Sequence, residues 1–195
     1  MTPATLVASP PERLTYEAYL TEEEVNGRYD IIDGERIPMP GSKWWHQRIS
    51  KKLTVIFDQY ERESGSGKVL AAPFDIMIRR YPLRTRQPDV FFISNTALVN
   101  AGDYEESGFL EVSPELVVEI ISDSETGKRF NAKIADYCAV GVQECWKVLR
   151  DAKTVEVLRL TSAGMETARI YGTGERIQSM TFPDLFVDVE AVFAE

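Results

Sequence analysis

Apolar positions recur along the chain with two periods, and these divide it into helices and strands. From His46 to Glu63, the residues Ile49, Leu53, Ile56, Phe57 and Tyr60 return at helical spacing, which predicts an amphipathic helix. Ser64-Gly65-Ser66-Gly67 ends it. From Lys128 to Ala139, Phe130, Ile134, Tyr137 and Cys138 form a second apolar stripe, and Gly141 ends that helix. A shorter helical stretch runs from Thr15 to Glu24, with Thr15 or Thr21 to cap it. Strands are predicted at Val69 to Ile78, interrupted by Pro73, and at Val90 to Ile93, introduced by Pro88-Asp89. Leu116 to Ile121 is nearly continuous and β-branched, the pattern of a central strand covered on both faces. Glu144 to Leu149 follows, then a hairpin of Thr154 to Leu160 with Glu166 to Tyr171, and a tail from Phe182 to Glu195. Nearer the start, Asp33-Gly34 between two apolar runs marks an N-terminal β-hairpin.

This order predicts an α/β fold: a mixed sheet with an α-β-β-β-α-β core flanked by helices, an N-terminal β-hairpin and C-terminal β additions. Residues 1–13, with Pro3, Pro10 and Pro11, read as a flexible leader. Residues 14–195 read as one domain, without a repeat or a linker.

Composition narrows the chemistry. The cysteines, Cys138 and Cys145, are too few for a disulfide framework and match no zinc spacing, so they read as free thiols in a reducing, cytoplasmic compartment. The single histidine, His46, argues against a His-rich zinc site. No apolar run approaches the ~20 residues that span a bilayer, so no membrane is expected. The net charge of −9 excludes indiscriminate binding to nucleic acid, because the field of the whole molecule repels phosphate. Any nucleic-acid role needs a local basic patch, and cations to screen an acidic site.

Glu119 stands out. It sits in the most apolar strand, where alternation places it on one face with Val117 and Ile121. A carboxylate there is costly unless it is paired or binds a metal. A buried ion pair is one reading; a metal ligand or an acid-base group is the other. Asp89, at the start of the preceding strand, is only a turn residue when taken alone. Beside Glu119 it completes an oxygen pair suited to a hard divalent cation. Pro183-Asp184 repeats the dipeptide with no buried acid after it and carries no such meaning. Lys133 lies at the edge of the second helical stripe, between Phe130 and Tyr137. It is either a snorkelling surface lysine or an amine that folds back onto the carboxylates. Relief of like-charge repulsion predicts that Asp89→Asn and Glu119→Gln both keep or raise stability.

Taken together, Arg28-Tyr29-Asp30-Ile31-Ile32-Asp33-Gly34-Glu35, His46-Gln47-Arg48, Ala72-Pro73-Phe74-Asp75, Gln87-Pro88-Asp89-Val90, Val118-Glu119-Ile120-Ile121-Ser122 and Lys133 with Tyr137 resemble the Uma-type family of restriction endonucleases, within the PD-(D/E)XK nuclease superfamily. The resemblance extends through Gly141-Val142 and Trp146, nearly the whole chain. It implies a restriction-endonuclease-like fold and a DNA endonuclease using Mg²⁺ or Mn²⁺. Asp89 and Glu119 would hold the metal, and Lys133 would complete the catalytic set. Asp30, Glu35, His46, Asp75, Gln87 and Ser122 would stand in support. Such a protein has DNA as its partner, with a homodimer left open. Three positions depart from the family pattern. Ile121 stands where the superfamily has lysine, Asp123 where the family usually has proline, and Asp30 where it more often has glutamate. Asp123 adds an acid near the site.

Arg79, Arg80, Arg84 and Arg86 crowd the connection before Pro88-Asp89. They read as a phosphate clamp or as a solvated hairpin tip. Trp44, Trp45 and His46 open the first long helix and are candidates either to stack bases or to pack on the sheet. The rival to an enzyme is a catalytically weak or inactive module of the same fold that binds protein or nucleic acid.

Overall fold

The computed structural model describes residues 13–22, 25, 27–102, 104–122 and 126–194. The rest of the expected leader and Asp123 lie outside the described residues. In chain order the elements are α1 (Tyr16–Thr21), β1 (Tyr29–Ile32), β2 (Glu35–Pro38), α2 (Trp44–Ser64), β3 (Gly67–Ala71), β4 (Asp75–Arg79), β5 (Arg84–Arg86) and β6 (Val90–Ser94). There follow α3 (Asn95–Leu98), β7 (Phe109–Leu110), β8 (Leu116–Ile120), α4 (Gly127–Val140), β9 (Glu144–Leu149), β10 (Thr154–Thr161), β11 (Gly164–Tyr171), β12 (Arg176–Gln178), β13 (Phe186–Asp188) and α5 (Val189–Phe193).

The central sheet has the order β11-β10-β9-β8-β6-β3. Only β8 and β9 run parallel in it, joined by the crossover helix α4; the other pairs are antiparallel. Along the chain its core reads α2, β3, β6, β8, α4, β9, the expected α-β-β-β-α-β order. β8 is buried at all five positions, as a strand covered on both faces should be. Val118 and Ile120 face α2 and pack with Ile49, Leu53 and Phe57. Val117 faces α4 with Phe130, Ile134 and Tyr137. Phe57 meets Trp146 edge-on at 5.4 Å between ring centroids, and burying such a ring contributes about 2–3 kcal/mol. β3 can lie so close to β6 because of Gly67, where a Cβ would meet the Ile93 carbonyl oxygen at 2.2 Å.

A second sheet, β2-β1-β5-β4-β7, lies beside the first. Its hairpin turns at Asp33-Gly34 with φ of 53° and 82°, the left-handed pair such a turn requires. This sheet corrects the reading of Val69 to Ile78 as one strand. The chain leaves the central sheet after Ala71 and enters the second at Asp75. Pro73 lies in the gap, since it offers no N–H to a ladder. Arg84 to Arg86 was read as connection but pairs with both β1 and β4 as β5.

Candidate metal centre

Two strands set the site. Val90 pairs with Val118 across the antiparallel β6–β8 ladder, so Asp89 and Glu119 stand opposite each other one step further on. The Asp89 N–H donates to the Val118 carbonyl at 3.1 Å, which extends the ladder to that step. Cross-strand neighbours of this kind share a face and have Cβ atoms about 5 Å apart. The paired carboxylates therefore follow from register. Both are buried, Asp89 at 4% and Glu119 at 2% exposure.

Each carboxylate is held by named donors. Arg28 Nη1 donates to Asp89 Oδ1 at 2.8 Å, and its Nη2 donates to the Gln87 carbonyl at 3.0 Å. The Ile120 N–H donates to Asp89 Oδ2 at 2.7 Å, and His46 Nε2 lies 3.3 Å from the same oxygen. The His46 Nδ1 atom is buried and has no hydrogen-bond partner among the described residues. Lys133 Nζ donates to Glu119 Oε2 at 2.6 Å, and the Tyr137 hydroxyl donates to Oε1 at 2.5 Å. Lys133 and Tyr137 lie four residues apart on α4 and so reach the same carboxylate. The ammonium thus takes the inward of the two positions open to it in the sequence.

The two carboxylates titrate in opposite directions. Burial pushes Asp89 up, but the His46 hydrogen bond and the charges of Arg28 and Lys133 outweigh it and hold the carboxyl at about 2. Glu119 is raised: burial dominates and the Asp89 charge adds to it, against the pull of Lys133 and Tyr137. Burial and the Glu119 charge likewise raise the Tyr137 hydroxyl well above the usual tyrosine range, so it stays a donor.

The pair lines a cleft of about 330 Å³ with His46, Ser122, Lys133, Trp45 and Lys43. Arg129, one helical turn before Lys133, lines it too. Among the described residues, no set of three or more His, Cys, Asp or Glu side chains converges on a metal position. Two carboxylates fit Mg²⁺ or Mn²⁺ of the kind that keeps water and substrate oxygens as its other ligands. The existing hydrogen bonds do not exclude this, because two carboxylate oxygens offer about four lone-pair sites.

The remaining candidates are placed elsewhere. Asp30 accepts from Arg86 Nη1 at 2.6 Å and from the Gln87 N–H at 3.3 Å, which props the strand end before Asp89. Gln87 and Asp75 line a second cleft of about 830 Å³ with Tyr19, whose hydroxyl donates to Asp75 at 2.6 Å. Burial raises the Asp75 carboxyl. Glu35 is exposed on β2 and does not line the Asp89–Glu119 cleft.

Each of the four arginines proposed as a phosphate clamp is paired with a carboxylate. Arg86 is 6% exposed and bonds Asp30 and Asp136. Arg84 bridges Asp33 and Asp136. Arg79 pairs with Asp33, and Arg80 pairs with Glu111. The partner carboxylates come from β1, the β1–β2 turn, α4 and the segment after β7.

Sequence reasoning passed over Arg28 and Tyr137 as site residues. Tyr137 carried a signal, its i+4 spacing from Lys133. Arg28 carried none, since 61 positions separate it from Asp89. The two opening tryptophans divide. Trp45 is half-buried and packs against the core, whereas Trp44 is 80% exposed.

The profile of the Uma2 family, described as "Putative restriction endonuclease", matches residues 14–190. No curated protein matches the chain. Among solved structures, a nuclease-titled protein ("putative nuclease belonging to DUF820") from Anabaena variabilis ATCC 29413 superposes with a TM-score of 0.75. It is 15% identical, and the match covers 93% of this chain and 98% of that one.

Proposed function

Since this chain belongs to the Uma2 family, whose description is "Putative restriction endonuclease", we propose that it is a metal-dependent nuclease that hydrolyses phosphodiester bonds of DNA. The observation that carries the reading is the opposition of Asp89 and Glu119 across β6 and β8, with the Lys133 ammonium 2.6 Å from Glu119. Buried like charges side by side cost stability. Arg28 and Lys133 offset much of that cost, and the carboxylate lone pairs left toward the cleft suit a bound cation.

Asp89 and Glu119 would hold the ion. A divalent ion there supplies charge neutralisation at the phosphoryl oxygens and lowers the pKa of a bound water. The chain's own groups do the rest. Asp89, ionised down to about pH 2, stays a ligand across the working range. Arg28 fixes its direction from one side and the Ile120 N–H from another. Tyr137 holds Glu119, leaving the Lys133 ammonium at the cleft wall to stabilise charge that develops on phosphate.

The test pairs metal binding with cleavage. Calorimetry with Mn²⁺ should give heat for the parent and none for Asp89→Asn or Glu119→Gln. Lys133→Met should retain the heat and cut DNA about 10²–10³-fold more slowly, the usual effect of losing one transition-state donor. If both carboxylate variants bind Mn²⁺ as the parent does, the assignment fails. If the parent binds Mn²⁺ and cuts no DNA, the chain is the inactive module instead.

A further inference from the structure

With the arginine segment neutralised, a nucleic-acid substrate needs another approach to the cleft. The first three turns of α2 offer one. Its buried face is His46, Ile49, Leu53 and Phe57. Its outer face carries Trp44, Arg48, Lys51, Lys52 and Val55, at steps of three and four residues, so they form one stripe. Trp44, Arg48, Lys51 and Val55 are exposed and Lys52 is half-buried. The Arg48 guanidinium lies 5.9 Å from the centre of the Trp44 ring.

The charge order along α2 opposes the helix dipole. Its first turn has no acid, and Lys43 stands at the N-cap without a side-chain cap bond. The acids Asp58, Glu61 and Glu63 come in its second half. Helices are more stable with this order reversed. The basic end is therefore kept at a cost to stability, and it adds its charge to the positive pole of the helix.

Part of the stripe meets the site through a groove that shares Trp45 with it. A surface groove of about 720 Å³ is lined by Trp44, Trp45, Arg48, Lys52, Arg150 and Lys153, with Asp151 as its one acid among the described residues. Trp45 also lines the Asp89–Glu119 cleft, as do Lys43 and Arg129. On a chain of net charge −9, a positive groove opening onto an acidic site stands out. Its charge complements a phosphate backbone. An open indole at its head complements a base that is not already stacked in a duplex.

We propose that the outer stripe of α2 is a track for single-stranded DNA, with phosphates on Arg48 and Lys51 and an unpaired base on Trp44. This rests on the nuclease reading for its purpose, because the track delivers the strand to Asp89 and Glu119.

Binding and cutting are measured apart. A labelled thymidine oligonucleotide is titrated by fluorescence anisotropy in EDTA across a range of salt, beside a duplex of equal length. Trp44→Ala should weaken the oligonucleotide about tenfold, the effect of one lost base stack, and the duplex much less. Arg48→Gln with Lys51→Gln should lower the slope of log affinity against log salt by about 1.4, two phosphate contacts' worth. Arg79→Gln with Arg80→Gln should change neither. All these side chains are exposed, so every variant should fold, with melting curves that shift only slightly from the parent's. Parent affinity and salt slope in the α2 variants overturn the track, and so does a parent that binds no oligonucleotide. A parent that binds through α2 but never cuts with Mg²⁺ leaves the track standing and removes the nuclease reading. One that cuts while the α2 variants bind unchanged does the reverse.

Discussion

Beside the cleft, Asp89 and Glu119 abut, with Arg28 and Lys133 outside them. Along β5 the order alternates instead: Asp33, Arg84, Asp136, Arg86, Asp30. Both regions hold partly or fully buried charge, and in both the opposite signs nearly cancel. What separates them is sequence in space. Alternation gives every charge neighbours of opposite sign only, which ties β1, β5 and α4 into one bracket. Abutment leaves two carboxylates facing each other at a cavity wall, with lone pairs still to offer. Here a buried carboxylate marks a candidate site where a second carboxylate stands beside it in addition to its cation.

The largest effect that tests this difference is expected at Arg86. Arg86→Met keeps the aliphatic stem but leaves Asp30 buried without its cation, and removes one of the two arginines on Asp136. Breaking such a pair from one side costs about 3–5 kcal/mol, which a urea titration would register. Mn²⁺ binding by the folded fraction should be unchanged. A small stability loss with lost metal binding would erase the distinction between bracket and site.

A finer test is the sign of the pH dependence at each carboxylate. The Asp89 carboxyl is lowered to about 2 from a usual 3.8. Its ionised form therefore contributes stability that is complete above the unfolded value and is lost as pH falls toward 2. The difference corresponds to about 2 kcal/mol at neutral pH. Glu119 is raised, so its contribution is present below the unfolded value and is lost as pH rises through the folded one. Asp89→Asn should thus be the less stable variant at pH 7. The gap should close as pH falls below about 3. This departs from the expectation that both neutral variants keep or raise stability. Repulsion is shared by the pair, but the donors that offset it, Arg28, His46 and the Ile120 N–H, gather on Asp89 alone. Equal stabilities of the two variants from pH 7 to pH 2 would contradict it.

How much of this is legible in the sequence follows from the range of each interaction. Glu119 is legible because alternation within β8 is local and a carboxylate breaks it. Lys133 and Tyr137 are legible because one helical turn relates them. The central order of elements is legible because α2, β8 and α4 each carry a strong period. The partners of the arginines are not, since Asp136 lies 50 residues from Arg86 and Asp30 lies 56. The split of Val69 to Ile78 between two sheets is also hidden. Period two reads the same in either sheet, and Pro73 reads equally well as an edge or as a break. The stripe on α2 was present in the sequence, but its buried face carries the stronger pattern and draws attention from the exposed one.

The smallest expected effect lies at the outer end of the arginine segment. Arg79 and Arg80 have side chains about half exposed, and their partners Asp33 and Glu111 are more than a third exposed. Water screens such pairs, and holding two long side chains in one geometry costs rotamer freedom. Arg79→Gln and Arg80→Gln should each lose no more than about 1 kcal/mol. Asp33 keeps Arg84 in the first variant, and Glu111 keeps the Tyr16 hydroxyl at 2.5 Å in the second, so neither acid is stranded. The same pairing limits what these arginines offer to DNA, because a guanidinium must leave its carboxylate before it can take a phosphate. Single-stranded oligonucleotide affinity should therefore be nearly unchanged in either variant, at low salt and at high. A loss of several-fold at low salt, vanishing as salt rises, would show that the pairs open for substrate and would return this segment to the binding surface.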